Sequence, residues 1–316
     1  MSLALLNFNK VLAMRIIIVG QGPFGEKALE ALIQKGEEVV GVFSPSDKRG
    51  EAMGGLAQKA GIPSFRPAIM KTPEVHEAYG RLKPDLAILA FVTDIIPQSL
   101  LAIPSIGTLC YHPSLLPRHR GASAINWAII QGDTRTGLTI FWADKGIDTG
   151  PILLQKEVEI GPEETTGSLY FNKLFSMGIG AIVEAVDLIK KGKAPRIPQD
   201  ESQATYEPPC DDRVASIDFA KPVDKIYNLI RGCDLQPGAY TTFQGKRIRF
   251  YDARKRSLAT GGGAGEIAAI EKEGLEIAFQ GGIIIVGKLK VDKGEKVGPI
   301  EFANAVDLKI GDRLGK

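Results

Sequence analysis

The sequence predicts an α/β protein in which a doubly wound, mostly parallel sheet is followed by a smaller, β-rich, barrel-like domain. Apolar runs of strand length alternate with amphipathic helical segments up to about residue 190, the pattern of a parallel sheet with crossover helices on both faces. Residues 192–212 contain four prolines and little hydrophobic periodicity, which is typical of a linker. Short alternating runs with glycine turns follow, so we expect two domains, 14–205 and 206–316.

The first predicted domain begins with a β-α-β unit. The run at 15–20 (RIIIVG) indicates a buried strand, 23–36 an amphipathic helix and 37–44 a second strand. The continuous apolar run at 85–91 (DLAILAF) indicates another strand that is covered on both faces. The same patterns predict helices at 51–61, 72–83, 122–133 and 166–190, and extended segments at 62–65, 136–144 and 151–160.

The second predicted domain contains one helix and several short strands. The helix is expected at 222–232, and strand-like runs occur at 240–253, 265–274, 275–282 and 283–291. We interpret the glycine-rich segment 261–265 (GGGAG) as a loose hairpin connection. Many short strands with tight turns predict a small β-barrel or sandwich.

The composition is that of an ordinary globular protein. Hydrophobic residues make up 44% of the 316 residues, and 39 basic against 37 acidic residues give a net charge of +2, too weak to indicate nucleic-acid binding. Cysteines at 110, 210 and 233 are too few and too scattered for a disulfide framework or a CxxC metal site, so we expect a cytoplasmic protein without bound metal. No stretch of transmembrane length is expected, and residues 1–13 are left out of the fold prediction.

Three glycines after the first strand have the spacing of a dinucleotide-binding fingerprint. They are Gly20, Gly22 and Gly25. That fingerprint also has an acidic residue at the tip of the second strand, which here runs into Ser44 and Pro45 instead. We therefore interpret the glycines as a tight turn with close helix–sheet packing, and expect no NAD(P).

The most informative stretch runs from HPSLLPRHRG at 112–121 to GIDTG at 146–150. The aspartate of the second motif follows the histidine of the first by 36 residues. Together they resemble the formyltransferase family that uses 10-formyltetrahydrofolate, and segments 111–127 and 140–144 are most similar to the hydrolase domain of 10-formyltetrahydrofolate dehydrogenase. The similarity covers nearly everything after Met14. It implies a Rossmann-like catalytic domain, 10-formyltetrahydrofolate as substrate, and catalytic roles for His112 and Asp148.

The residue chemistry agrees with this resemblance. Opening a formamide needs a donor to the developing oxyanion or leaving nitrogen, and a base for the attacking water or amine, which a His and Asp pair can supply. Because Pro113 follows His112, we expect the histidine to be extended at a strand end. Asp148 stands in a glycine-flanked loop, where backbone can approach a ligand closely.

One position departs from the transferases of the family, which carry Asn-x-His where this chain has Cys110-x-His112. A thiol is a weaker donor than an amide, and the resembling hydrolase domain also lacks the asparagine. In a strand, Cys110 and His112 would share one face. Cys110 is therefore a candidate catalytic nucleophile, although we favour a passive, space-filling thiol.

The resemblance also implies folate contacts. Segment 91–97 resembles the family segment that contacts the pterin, and 114–117 resembles the loop beneath it. For Phe91 and Ile95 taken singly, core packing is as good an interpretation as ligand contact. The implied binding residues are Phe91, Asp94, Ile95, Ile96, Ser114, Leu115, Leu116 and Pro117.

We expect hydrolysis of 10-formyltetrahydrofolate to formate and tetrahydrofolate. Formyl transfer to an amine, such as methionyl-tRNA or a sugar nucleotide, is the alternative. A tRNA partner is not favoured, because the loop after the second strand offers only Lys48 and Arg49 where tRNA-directed members have a longer basic insertion. A third alternative is a folate-binding subunit that serves a separate aldehyde dehydrogenase as partner.

Overall fold

The computed structural model describes residues 14–257 and 263–315, which form two compact units. The first unit contains residues 14–120, Gly137–Lys156 and Leu174–Thr205. The second contains Gly121–Thr136, Glu157–Lys173 and the described residues from Tyr206 onwards. The chain therefore crosses into the second unit twice before the proline-rich segment. The segment 1–13 and the first two residues of GGGAG, 261 and 262, lie outside the described residues.

The first sheet has seven strands, and seven α-helices lie along the same described part of the chain, of which α5 and α6 belong to the second unit. The strands are β1 Arg15–Gly20, β2 Glu38–Phe43, β3 Ser64–Phe65, β4 Leu86–Ala90, β5 Gly107–His112, β6 Arg135–Trp142 and β7 Ile152–Glu159. The α-helices of this part of the chain are α1 Gly22–Gln34, α2 Glu51–Lys59, α3 Pro73–Arg81, α4 Gln98–Leu101, α5 Ala124–Gln131, α6 Thr166–Leu169 and α7 Phe175–Lys190.

The strand order β3-β2-β1-β4-β5-β6-β7 makes a doubly wound sheet. The strands from β3 to β5 are parallel, and β6 runs antiparallel to β5. Successive residues of β1 point to opposite faces of the sheet and belong to two separate hydrophobic cores. Ile16 packs with α1 and α7, whereas Ile17 packs with α3 and α4. The predicted mostly parallel sheet with helices on both faces is confirmed. Burial on both faces is why β1 after Arg15 and the whole of β4 contain no polar side chain.

The strand order reverses at β1, whose neighbours are β2 and β4. Ligands of open α/β sheets bind beyond the carboxyl ends of the strands near such a point. Parallel strands β1, β4 and β5 all end at this edge, and His112 is the last residue of β5. The fold thus brings the end of β4, where Phe91 follows, next to the histidine.

The second unit contains a five-stranded antiparallel sheet in the order β10-β11-β12-β9-β8. Its strands are β8 Ala239–Phe243, β9 Lys246–Ser257, β10 Ile267–Ile270, β11 Leu275–Phe279 and β12 Gly282–Val291, with helices α8 Val223–Cys233 and α9 Pro299–Val306. Ile230, Phe250 and Phe302 belong to its core. The hairpin interpretation of GGGAG was wrong, because β9 and β10, the strands on either side of it, are not neighbours. A glycine-rich run in a sequence indicates a connection between strands, but not which strands are paired.

The predicted helix 166–190 consists of three pieces. A capping box between Thr165 and Ser168 begins α6, residues Tyr170–Leu174 form a π-helical turn, and α7 continues to Lys190. The whole stretch has the length and hydropathy of a membrane span, contrary to the expectation that no such stretch exists. Ala181 and Ala185 of α7 are nevertheless fully buried in the core of the first sheet, as in the core helix of a globular protein.

Two of the three cysteines meet in the second unit. The sulfur atoms of Cys210 and Cys233 are 3.6 Å apart, although the residues are 23 positions apart in sequence. Both are free thiols in the structure. Their spacing in sequence made them look scattered, because distance along a chain does not reveal which residues the fold brings together.

Candidate active site

His112 is buried at the end of β5, with only 6% of its surface exposed. Its Nε2 lies 2.7 Å from the backbone oxygen of His119. A carbonyl oxygen can only accept, so Nε2 carries a proton and donates it to this contact. The other ring nitrogen, Nδ1, lies 3.5 Å from Oδ2 of Asp148. Nδ1 is therefore the nitrogen that can gain or lose a proton, and it faces the carboxylate.

Asp148 lies in the loop between β6 and β7 with a left-handed backbone, φ 56°. Aspartate tolerates this conformation better than most residues. Asp144 fixes the start of the loop, since its Oδ1 accepts from the Gly146 nitrogen at 2.9 Å and the Thr149 hydroxyl at 2.6 Å. Gly150 is required at the end, because a Cβ there would lie 1.7 Å from the Trp142 oxygen. The GIDTG motif thus builds a specific turn that presents one carboxylate.

Cys110 lies two residues before His112, on the same face of β5, as expected. Burial raises the pKa of its thiol well above the ordinary value, and the negative charge of Asp148 raises it further. The thiol is therefore protonated at neutral pH. Because the thiolate is the nucleophilic form of cysteine, this environment favours the passive role of Cys110.

The loop 114–117 beneath the histidine is held mainly by buried polar contacts. Ser114 is fully buried and its hydroxyl donates to the Arg118 oxygen at 2.6 Å. Leu116 is 3% exposed, and its nitrogen donates to the Thr139 hydroxyl at 3.1 Å. The side chains of Ser114 and Leu116 therefore shape the loop, whereas Leu115 and Pro117 are half-buried and accessible to a ligand.

The segment after β4 likewise contains both buried residues and residues that a ligand could reach. Phe91 has a left-handed backbone, φ 62°, and is partly exposed, as is Asp94. Ile95 is 82% exposed, whereas Ile96 is buried in the core shared with α3 and α4. Of the residues that the resemblance implied here, Phe91, Asp94 and Ile95 are accessible to a ligand, and Ile96 anchors the segment.

Four polar residues that the sequence analysis did not single out support the site. Thr139 on β6 donates to the Ser114 oxygen at 2.7 Å, and Gln155 on β7 donates to the Leu116 oxygen at 2.8 Å. Gln199 donates to the backbone of the Asp148 loop, and Arg120 binds Gln199. Arg120 could have been identified from the sequence, because it belongs to the HPSLLPRHRG motif. Gln199 could not, because nothing distinguishes it from the other polar residues of the proline-rich segment.

Two of the three glycines at the junction of β1 and α1, Gly20 and Gly25, serve close packing, whereas Gly22 has a left-handed backbone, φ 60°, with open space around it. A Cβ on Gly20 would lie 2.6 Å from the Ala90 oxygen on β4, and one on Gly25 would lie 3.1 Å from the Gly20 carbonyl carbon. A small cavity at the ends of β1 and β2 is lined in part by Gln21, Ser44 and Asp94. Within the described ranges, no group of three or more His, Cys, Asp or Glu side chains is placed to share a metal ion.

Comparison with known proteins places these features in one family. The model of the formyl transferase family matches residues 14–186, and that of the formyl transferase C-terminal domain matches residues 211–307. The chain is 39% identical over 310 residues to cytosolic 10-formyltetrahydrofolate dehydrogenase of Xenopus laevis, with 93% of this chain and 34% of that protein covered. It is 36% identical to methionyl-tRNA formyltransferase of Geobacter sulfurreducens, with 96% and 97% covered.

Solved structures share the fold at lower identity. HypX from Aquifex aeolicus in complex with tetrahydrofolic acid superposes with a TM-score of 0.70 and 19% identity, covering 94% of this chain and 48% of that one. The N-formyltransferase from Helicobacter canadensis gives 0.69 and 19%, covering 90% and 100%. The chain spans about a third of the length of the dehydrogenases that it matches. On the two family models and these relatives, the chain belongs to the formyltransferase family.

Proposed function

We propose that the chain hydrolyses 10-formyltetrahydrofolate to formate and tetrahydrofolate. The observation that carries the proposal is the approach of Asp148 Oδ2 to within 3.5 Å of His112 Nδ1 at the ligand-binding edge of the sheet. The two groups supply a base and an acid side by side, which formamide cleavage needs. HypX, which shares the fold, was solved with tetrahydrofolic acid bound, and this supports a folate substrate.

The proposed steps use the two side chains in turn. Asp148 takes a proton from a water whose oxygen attacks the formyl carbon, and His112 stabilises the oxyanion that forms. The bond from carbon to N10 then breaks as N10 receives a proton from Nδ1 of His112. Formic acid and tetrahydrofolate leave, and the acid releases its proton to solvent as formate. The proton on Asp148 passes to His112 across the 3.5 Å contact, which restores the starting pair of an ionised Asp148 and a His112 that carries a proton on Nδ1.

Cys110 supports hydrolysis over transfer. It stands where the resembling transferases carry an asparagine, whose amide would donate to the oxyanion. Loss of one such donor costs about a hundred- to a thousand-fold in rate. A protonated thiol donates weakly, and the Cys110 sulfur is 3.7 Å from the Tyr111 oxygen, a weak contact within its own strand. The dehydrogenases with 38–45% identity to this chain support the same choice.

The loop after β2 also supports a small nucleophile over tRNA. Arg49 is paired with Asp47, with Nη2 2.9 Å from Oδ2. Arg66 donates to the backbone oxygens of Pro45, Ser46 and Asp47 at 2.7–3.1 Å. These two cations are already engaged in holding the loop, which leaves little basic surface for phosphates.

Two alternatives rest on specific observations. Formyl transfer to an amine is favoured by the nearly full-length match to a methionyl-tRNA formyltransferase. A folate-binding subunit for a separate aldehyde dehydrogenase is favoured by the chain's 39% identity to a 10-formyltetrahydrofolate dehydrogenase. Neither alternative changes the assignment of His112 and Asp148 to the formyl group.

A single assay separates the three functions. Purified protein is given 10-formyltetrahydrofolate alone, then with methionyl-tRNA or an amino-sugar nucleotide, and formate, formylated amine and tetrahydrofolate are measured. We expect formate and tetrahydrofolate in equal amounts without any amine. Product formation only with an amine would replace hydrolysis by transfer, and folate binding without turnover would indicate the subunit. The Asp148→Asn variant, purified in parallel, detects any contaminating activity.

A further inference from the structure

Gln199 reaches from the proline-rich segment to the loop that carries Asp148. Its side-chain nitrogen donates to the backbone oxygens of Asp148 and Gly150, both at 2.8 Å. One oxygen belongs to the left-handed residue Asp148 and the other to Gly150, two positions further along the chain. One amide group therefore holds the backbone of this turn on both sides of Thr149.

Arg120 fixes the other end of the same amide. Its Nε and Nη2 donate to Oε1 of Gln199 at 3.1 and 2.8 Å, so the amide cannot flip without losing both contacts. The side chain of Arg120 is fully buried, and its Nη1 and Nη2 also donate to the carboxylate of Glu201 at 2.8 and 2.6 Å. A planar guanidinium with several simultaneous contacts is a rigid support.

The same short segment also holds the histidine. The backbone oxygen of His119, one residue before Arg120, accepts from Nε2 of His112 at 2.7 Å. The backbone nitrogens of His119 and Arg120 donate to the Thr205 hydroxyl at 2.8 Å and the Thr205 oxygen at 3.0 Å. Residues 119 and 120 therefore fix His112 directly and Asp148 through Gln199.

We propose that Gln199, oriented by Arg120, is a positioning residue that holds Asp148 at its working distance from His112. The inference rests on the proposed use of Asp148 as the base. Asp148 has a backbone conformation that is unfavourable for a residue with a Cβ, so the turn needs external contacts to persist. A displacement of about 1 Å at a reacting group costs roughly a hundredfold in rate, which two lost hydrogen bonds can cause.

The test compares three variants of the full chain: Gln199→Ala, Gln199→Glu and, as a matched control, Gln203→Ala. Gln203 lies in the same segment, is exposed, and donates to Asp200 Oδ2 at 2.6 Å, so its loss perturbs the segment without touching the Asp148 loop. A glutamate at 199 can pair with Arg120 but cannot donate to the Asp148 and Gly150 oxygens. Conversion of 10-formyltetrahydrofolate is measured as kcat and KM, together with Tm.

We expect kcat of Gln199→Ala and Gln199→Glu to fall by roughly ten- to a hundredfold, with KM within about threefold of wild type. Gln203→Ala should retain most of the wild-type kcat. If Gln199→Glu kept more than half of the wild-type kcat, Gln199 would serve only to occupy Arg120, and the proposal would be wrong. A loss confined to KM, or a kcat loss that simply follows Tm in all variants, would overturn it equally.

Failure of the proposed function gives a different pattern. A wild-type protein that needs an amine acceptor would contradict hydrolysis, and the same variants would then be measured with the acceptor present. A wild-type protein that is active while Gln199→Ala is equally active contradicts the positioning role alone. If Gln199→Ala does not fold, Gln199→Glu decides the question, since it keeps the pairing with Arg120.

Discussion

His112 can act only through Nδ1, because a backbone carbonyl occupies Nε2. The proposed mechanism therefore depends on Asp148, since its carboxylate is the group that Nδ1 faces. The histidine and the aspartate could both be identified from the sequence, because their motifs are long and specific. The tautomer of His112 could not be predicted, because it depends on the His119 oxygen. The distance from His112 Nδ1 to Asp148 Oδ2 could not be predicted either, because the Asp148 loop is held by Gln199, 51 residues further along the chain.

Asp148→Asn should abolish turnover and leave folate binding intact. The amide keeps the size and shape of the carboxylate, but it cannot accept a proton from the attacking water. Turnover is measured as tetrahydrofolate formation, and binding by equilibrium titration with tetrahydrofolate. A variant that retained more than a tenth of the wild-type rate would remove Asp148 from its role as base.

Cys110→Ala should retain activity within about threefold of wild type. Burial and Asp148 raise the pKa of the thiol, so the residue is protonated and fills space beside His112. Mass spectrometry during turnover should then find no formyl group attached to the protein. Loss of activity in this variant, together with a formyl adduct on Cys110 in the wild type, would make Cys110 the nucleophile.

Cys110→Asn tests the same position from the opposite direction. An amide would restore the donor that the resembling transferases carry, so oxyanion stabilisation and transfer to an added amine should increase. The larger side chain must fit a place shaped for a thiol, and overpacking costs about 1–3 kcal/mol. The ratio of formylated amine to formate is therefore the informative quantity, with Tm measured beside it.

At the scale of elements, continuous apolar runs made β1 and β4 predictable, because the parts of a strand that are buried on both faces carry few polar side chains. The π-helical turn at Tyr170–Leu174 was not predictable, since one extra residue in a turn leaves the helical hydrophobic pattern nearly unchanged. Pairing of distant strands and of distant cysteines likewise depends on the completed fold.

Cys210 and Cys233 should form a disulfide when the protein is treated with oxidised glutathione. Their sulfur atoms must approach from 3.6 Å to about 2.05 Å, a small movement for two side chains in contact. The two thiols become one disulfide while oxidised glutathione is reduced to two glutathione molecules. Thiol titration of the denatured protein should then find one free cysteine of the three.

Closing this loop should also stabilise the oxidised protein by roughly 3 kcal/mol, because the unfolded chain loses conformational freedom. Urea unfolding with and without oxidation measures the difference, and Cys210→Ser serves as the control that cannot cross-link. Three free thiols after prolonged oxidation would show that the two side chains cannot reach disulfide geometry.

At the scale of the whole molecule, the distribution of charge bears on whether tRNA can be the formyl acceptor. Basic residues exceed acidic ones by only two over the full chain. Among the described residues of β9, where cations are dense, Arg247 and Arg249 pair with Asp212, and Arg256 pairs with Glu276. Paired cations release few counterions from a phosphate backbone, and counterion release supplies most of the affinity of proteins for nucleic acids.

We therefore expect methionyl-tRNA to bind no more tightly than non-specific complexes do, with a Kd of about 1 µM or weaker near physiological salt. Filter binding or anisotropy with labelled tRNA, repeated over a range of salt concentrations, measures both the affinity and its salt dependence. Submicromolar binding that weakens steeply with salt would reveal a basic surface that the ion pairs do not neutralise. Because a tRNA-directed transferase must hold its acceptor, that result would favour formyl transfer over the proposed hydrolysis, whereas weak binding would leave water and small amines as the available nucleophiles.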